Sequence, residues 1–211
     1  MDIFGLTASR YSEWADAVFS TEIAYIKDAP YQFEAANPTL LSQLIAPGFD
    51  GFTRKDVIAA MLRMDKNFAF TQDLLGTEKP MFFSAQLFDK WVQNYDEDDN
   101  LLYSVGWGGK VKEHTVLATT IFDFSYNSGR VRPNLVLGAD LSNGGGFAVP
   151  SVTFELSSKL RWKVEYDAFW NDEHRDPDKC PPGNGATCDG TTLFGYFHNR
   201  DQVYTSLTYL F

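Results

Sequence analysis

The chain has 211 residues, is 44% hydrophobic and 16% aromatic, and carries 18 basic and 28 acidic side chains for a formal net charge of −10. That length fits one domain, the apolar fraction excludes a disordered tail, and the acidity excludes the basic face a nucleic-acid binder needs. No run of 18 apolar residues occurs, which excludes a transmembrane helix but not a membrane β-barrel, whose apolarity hides in alternation at a mean hydropathy such as −0.26.

Met1–Thr7 has neither a basic n-region nor an apolar core, so it is not a signal peptide. The expectation is a cytoplasmic protein, or else a mature form or a fragment. The first predicted strand covers Asp16–Ile26, where Ala17, Phe19, Thr21, Ile23 and Tyr25 alternate with Val18, Ser20, Glu22 and Ala24. Asn37–Ile45 reads as a short helix, with Asn37 as N-cap, Pro38 at the first helical position and Pro47-Gly48 as the stop. Its apolar side (Leu40, Leu41, Leu44, Ile45) needs a surface: neighbouring loops, the mouth of a barrel or lipid headgroups.

Asp56–Phe70 alternates Ile58, Ala60, Leu62, Met64, Phe68 and Phe70 with Arg63, Asp65 and Asn67. Lys66 falls on the apolar side near one end, where its stem can snorkel. Met81–Val92 alternates Phe83, Ala85 and Leu87 with Ser84 and Gln86. The acidic run Asp96–Asp99 lacks the glycine spacing of an EF-hand loop and reads as a hydrated loop, so no metal site is predicted. Gly106-Trp107-Gly108-Gly109 is a turn rather than a phosphate cradle, because no helix follows it.

The second half alternates more cleanly. His114–Tyr126 sets Val116, Ala118, Thr120, Phe122 and Phe124 against Thr115, Thr119, Asp123 and Ser125. Val131–Leu141 sets Val131, Pro133, Leu135, Leu137 and Ala139 against Arg132, Asn134, Val136, Gly138 and Asp140. Ala148–Leu156 opposes Val152, Phe154 and Leu156 to Ser151, Thr153 and Glu155. Leu160–Trp170 collects Leu160, Trp162, Val164, Tyr166, Ala168 and Trp170 on one face and Arg161, Lys163, Glu165 and Asp167 on the other. Cys180 and Cys188 sit in a polar Pro/Gly-rich stretch, where a loop-closing disulfide and two free thiols are both open readings. Phe197–Phe211 is the last strand, with Val203, Thr205, Leu207, Tyr209 and Phe211 on its apolar side. About eight strands are thus predicted.

Connections at one end are mostly short (Asn127–Arg130, Ser157–Lys159, and Thr71–Pro80 of medium length). At the other they are mostly long: 28–55, 93–113 and 171–194, with Asn143–Gly146 a short exception. That is the habit of outer-membrane barrels. Three features turn the apolar face outward. Aromatic residues gather toward strand ends, as interfacial girdles do. An eight-strand interior is too narrow for so many rings. The chain also closes an alternating strand on Phe211. The prediction is an all-β, antiparallel, up-and-down transmembrane β-barrel, one domain over 1–211, closed alone or within a larger barrel. Its lumen is lined by Arg63, Asp65, Asp123, Arg132, Asp140, Glu155, Arg161, Lys163, Glu165 and Asp167. These charges either filter solutes or pair across strands and plug a narrow barrel.

The ending Tyr204–Phe211 resembles the C-terminal signal by which bacterial outer-membrane proteins are read by the barrel assembly machinery, with Leu207, Tyr209 and Phe211 as its apolar positions. Trp14–Tyr25, Arg54–Asp65, Phe82–Phe88, Arg132–Leu135, Pro150–Glu155 and Asn199–Asp201 resemble one family: the large proteobacterial outer-membrane barrels classed as a domain of unknown function and often encoded beside RND-type exporters. Its members are typically much longer, so the resemblance implies a C-terminal part of one. It also implies residence in the outer membrane, contact with its lipids and a possible RND-type export partner.

The functional expectation is passage or export of a small solute, hydrophobic ones included, through a polar lumen, with no cofactor and no catalysis. His114, His174 and His198 are scattered, no catalytic motif occurs, and Asp172–Asp176 reads as a solvated loop. The first rival is a soluble ligand-binding β-barrel or sandwich with an apolar interior. A second is a membrane-embedded phospholipase, which needs a Ser beside His114 or His198 at the lipid boundary.

Overall fold

Nine strands follow one another across a single antiparallel sheet, and a two-residue tenth lies off its path. The computed structural model of the chain describes residues 1–33, 52–99, 101–102, 110–171, 194, 197 and 200–211. The strands are β1 (Asp2–Ser12), β2 (Ala17–Phe33), β3 (Thr53–Phe68), β4 (Met81–Val92), β5 (Leu101–Leu102), β6 (His114–Asp123), β7 (Val131–Asp140), β8 (Gly145–Glu155), β9 (Leu160–Asn171) and β10 (Gln202–Tyr209). The order is β1-β2-β3-β4-β6-β7-β8-β9-β10, with β5 paired to the far end of β2. Each strand packs chiefly on its hydrogen-bonded neighbours, so the sheet is one layer thick. No helix among the described residues is long and apolar enough to cross a membrane.

Three differences from the sequence reading concern β1, β2 and β10. β1 lies where the N-terminal residues are read only for targeting; its register with β2 pairs Phe4 with Tyr25 and Leu6 with Ile23. The count of about eight is therefore too low. β2 also continues past Ile26, where a connection is expected. Asp28 takes φ 55° and makes a bulge between Ile26 and Ala29, after which pairing to β3 resumes. The Asp56 carboxylate holds this bulge: it accepts the Asp28 amide at 2.9 Å and the Tyr25 hydroxyl at 2.5 Å. Conversely, β10 starts at Gln202, five residues later than expected.

The sheet is open. β1 and β10 end its order and do not pair with each other. With nine antiparallel strands in series, those two edges run in the same direction. Pairing them directly would make a parallel seam.

The short connections share one end. The β6–β7 turn carries Asn127, Ser128 and Gly129 at φ 53°, 58° and 77°, so the glycine stands where a left-handed conformation is needed. The medium connection between β3 and β4 contains a helix, α1 (Phe70–Leu75), stopped by Gly76 at φ 66°. Buried Thr71 ties it down, donating to the Phe68 carbonyl at 2.7 Å and accepting the Met81 amide at 3.1 Å. Lys66 snorkels as expected: its ammonium reaches the Ala15 carbonyl in the β1–β2 turn and lies 5.6 Å from the Phe68 ring centre.

At the opposite end a small apolar core forms where β5 closes over β2–β4. It comprises Ala29, Tyr31, Val57, Val92, Leu101 and Val111. Tyr95 packs against it and donates its hydroxyl to the Val111 carbonyl at 2.9 Å; burial, and then the Glu97 carboxylate, push its pKa above the ordinary phenol value. The predicted helix Asn37–Ile45, the turn Gly106–Gly109, the loop Asp172–Asp176 and the cysteines Cys180 and Cys188 lie outside the described residues. Val57 is fully buried in this core, so Val57→Ala should cost about 1–3 kcal/mol in denaturant titrations of the folded protein.

Candidate functional site

Strand register assembles one continuous face from residues far apart in sequence. Partners across a ladder point to the same side. Following pairs from β3 to β9 therefore aligns Asp65 with Ser84, Ile121, Val136 and Val149. The next row toward the short turns holds Asp123, Asn134, Ser151 and Glu165. By the same register all ten charged residues predicted to line a lumen stand on this polar face.

Each of the four cations pairs with one of the six carboxylates. Arg63 grips Asp65 with two contacts of 2.7 and 2.8 Å. Arg132 meets Asp123 at 3.3 Å, Arg161 meets Glu155 across the β8–β9 ladder at 3.7 Å, and Lys163 meets Glu165 at 2.5 Å. The two remaining carboxylates accept neutral donors: Asp140 takes the Ser142 and Asn143 amides and the Asn143 side chain, and Asp167 takes Gln202 at 2.6 Å. Partly exposed pairs of this kind each contribute roughly 0.2–1 kcal/mol. Near the short turns Asp123, Arg132, Thr153, Glu155, Arg161 and Lys163 surround a groove of about 290 Å³.

The same face is not polar throughout, and the sequence reading passes over this. Met61, Phe88 and Leu117 form an apolar row, and Ile121, Val136 and Val149 form another. Between them lies the row Thr119, Gly138, Phe147 and Phe169. Phe147 occupies the space a side chain at Gly138 would fill: a Cβ there would stand 2.1 Å from a ring carbon. Phe194 packs on Phe147 with ring centres 5.7 Å apart, and Phe197 stacks on Phe169 at 5.2 Å. The available signal was Phe169, an aromatic among alternate positions that otherwise carry charge.

The two faces differ in exposure in the sense opposite to a water-soluble sheet. On the apolar face Trp162, Trp170 and Leu207 are 41%, 42% and 67% exposed, whereas Ser84, Ser151 and Asp167 on the polar face are 0%, 7% and 9% exposed. The sheet shelters its polar, concave side by curling toward it, and β5, Phe194 and Phe197 cover parts of that side. Polar tips on the exposed side are satisfied locally: Trp162 Nε1 donates to Thr205 at 2.9 Å and Tyr166 donates to Asp201 at 2.6 Å. Leu207 and Tyr209 share this face, and the Phe211 ring lies edge-on to Tyr209 at 5.3 Å.

A model of the family described as "protein of unknown function (DUF1302)" matches residues 1–211. The chain belongs to the DUF1302 family. No curated protein and no solved structure matches it.

For this DUF1302 chain the described residues hold no group of three or more His, Cys, Asp or Glu side chains arranged for a metal ion. His114 stacks on Trp91 and pairs through Nδ1 with Asp89 at 2.9 Å; its partner is a carboxylate, not a serine. His198 lies outside the described residues. Gly138→Ala should displace the Phe147 ring and lower stability by about 1–3 kcal/mol, read as a shift in denaturant midpoint.

Proposed function

We propose that this sheet is the wall of a transmembrane β-barrel in the bacterial outer membrane, giving a small solute passage through a lumen lined by its polar face. The observation that carries this is the inverted exposure: tryptophan and leucine side chains face outward while serine and aspartate are sheltered. Hydrocarbon accepts only surfaces whose backbone groups are internally paired and whose side chains are apolar. Strand lengths fit the same reading. β4, β6, β7, β8 and β9 have 12, 10, 10, 11 and 12 residues, against about 9–11 for a tilted strand crossing the hydrocarbon.

In this reading the apolar face meets outer-membrane lipids, and Leu207, Tyr209 and Phe211 present the exposed edge that the barrel assembly machinery recognises. Closure into an antiparallel barrel takes an odd number of further strands between β10 and β1, because those edges run in parallel. Pairing of all four cations leaves Asp140 and Asp167 as a small acidic excess on this wall. The reading asks no chemistry of the chain on the solute, and an RND-type export system is the partner that would supply or remove it.

The protein should remain monodisperse only in detergent, and vesicles containing it should admit small solutes that empty vesicles exclude. Monodispersity in plain buffer with no vesicle flux would overturn the reading. Asp65→Asn removes the charge opposite Arg63, so the ion selectivity of the reconstituted protein should shift toward anions, read as a changed reversal potential in a salt gradient.

A further inference from the structure

We propose that Phe147, Phe169, Phe194 and Phe197 form an aromatic constriction on the concave wall that selects solutes carrying an aromatic or other planar apolar group. This rests on the transport reading above and names the solute class for it.

The placement comes from three contacts that agree. Phe147 and Phe169 belong to the polar face by register, being paired with each other in the β8–β9 ladder and, through Phe147, with Gly138. Phe194 stands over Phe147, and Phe197 over Phe169. A Cβ built on Gly145, which shares that face, would lie 3.0 Å from the Phe194 Cβ. Phe194 and Phe197 therefore stand over the concave side of β8 and β9 rather than in the ladder.

The surroundings supply the selectivity. Phe194 is buried, and Phe147 and Phe169 share their row with Arg63, Gln86 and Thr119 on β3, β4 and β6, so the rings offer dispersion and stacking on the β8–β9 side of a level that stays polar on the other. The charged groove lies nearer the short turns, with its ions already paired. A flat apolar solute exchanges its own surface for the rings, a gain that a small polar solute does not share. Glycine at 138 leaves the space into which Phe147 lies flat, which keeps that ring against the wall rather than across the passage.

The test uses the full chain reconstituted in vesicles, with phenylalanine and serine as amino-acid solutes whose influx is followed by swelling. The Phe194→Ala/Phe197→Ala variant should raise serine influx at least about threefold and lower the phenylalanine-to-serine ratio by a similar factor. Phe169→Ala should move the ratio in the same direction, which guards against misfolding of the double variant. Independently, p-benzoylphenylalanine placed at 197 should photo-cross-link to the β9 peptide containing Phe169. A missing cross-link overturns the proposal, as does an unchanged ratio in vesicles that the wild type makes permeable. If the cross-link forms but the wild type admits no solute, the transport reading fails, and selection by the rings fails with it.

Discussion

A β-sheet whose strands pack chiefly on their hydrogen-bonded neighbours must present one of its faces to its surroundings, and much else in this molecule follows from which one. Each interior strand spends its backbone hydrogen bonds on two neighbours, so only side chains remain to meet solvent or lipid. Here the Leu, Trp and Tyr residues of alternate positions take the convex side, and the charged residues gather on the sheltered one. In water that choice would be costly, since fully burying one large apolar side chain is worth roughly 1.5–3 kcal/mol and many stand exposed. The same choice is favourable against hydrocarbon.

Sheltering charge brings its own requirement. A carboxylate taken partly out of water needs a partner, and the polar face meets that need with short-range pairs rather than with a separated array of positive and negative zones. Arg63 with Asp65 and Lys163 with Glu165 are two residues apart on one strand, while Arg161 with Glu155 spans a ladder. Such a wall is wettable without generating a strong field of one sign. The aromatic level at Phe147 and Phe169 then adds a region where wetting itself is unfavourable.

Much of this was legible from alternation. A period of two assigns faces without knowledge of partners, so Leu160–Trp170 declares its oily and ionic sides in isolation, and register places the matching sides of β8 and β10 beside them. The position of Lys66 was readable for the same reason. β1 was harder to recognise: Ile3, Phe4 and Leu6 break strict alternation, and Gly5 carries no side chain to report a face. The β2 bulge was hidden because an aspartate at positive φ leaves no mark until Asp56, distant in sequence, supplies its acceptor. The contacts of Phe194 and Phe197 depend on tertiary folding, which no local period encodes. Membership of the DUF1302 family agrees with the family resemblance in the coarse sense that the matched model describes a protein of unknown function.

The shared direction of β1 and β10 also limits self-assembly. Set two copies side by side around a common axis, both with long loops on the same side. Each junction then joins the last strand of one copy to the first of the other, and every such junction is parallel. Inverting one copy would restore antiparallel junctions, but it would carry its long loops to the opposite end. Rotational pairing of these nine described strands alone therefore gives no all-antiparallel cylinder, however many copies are used.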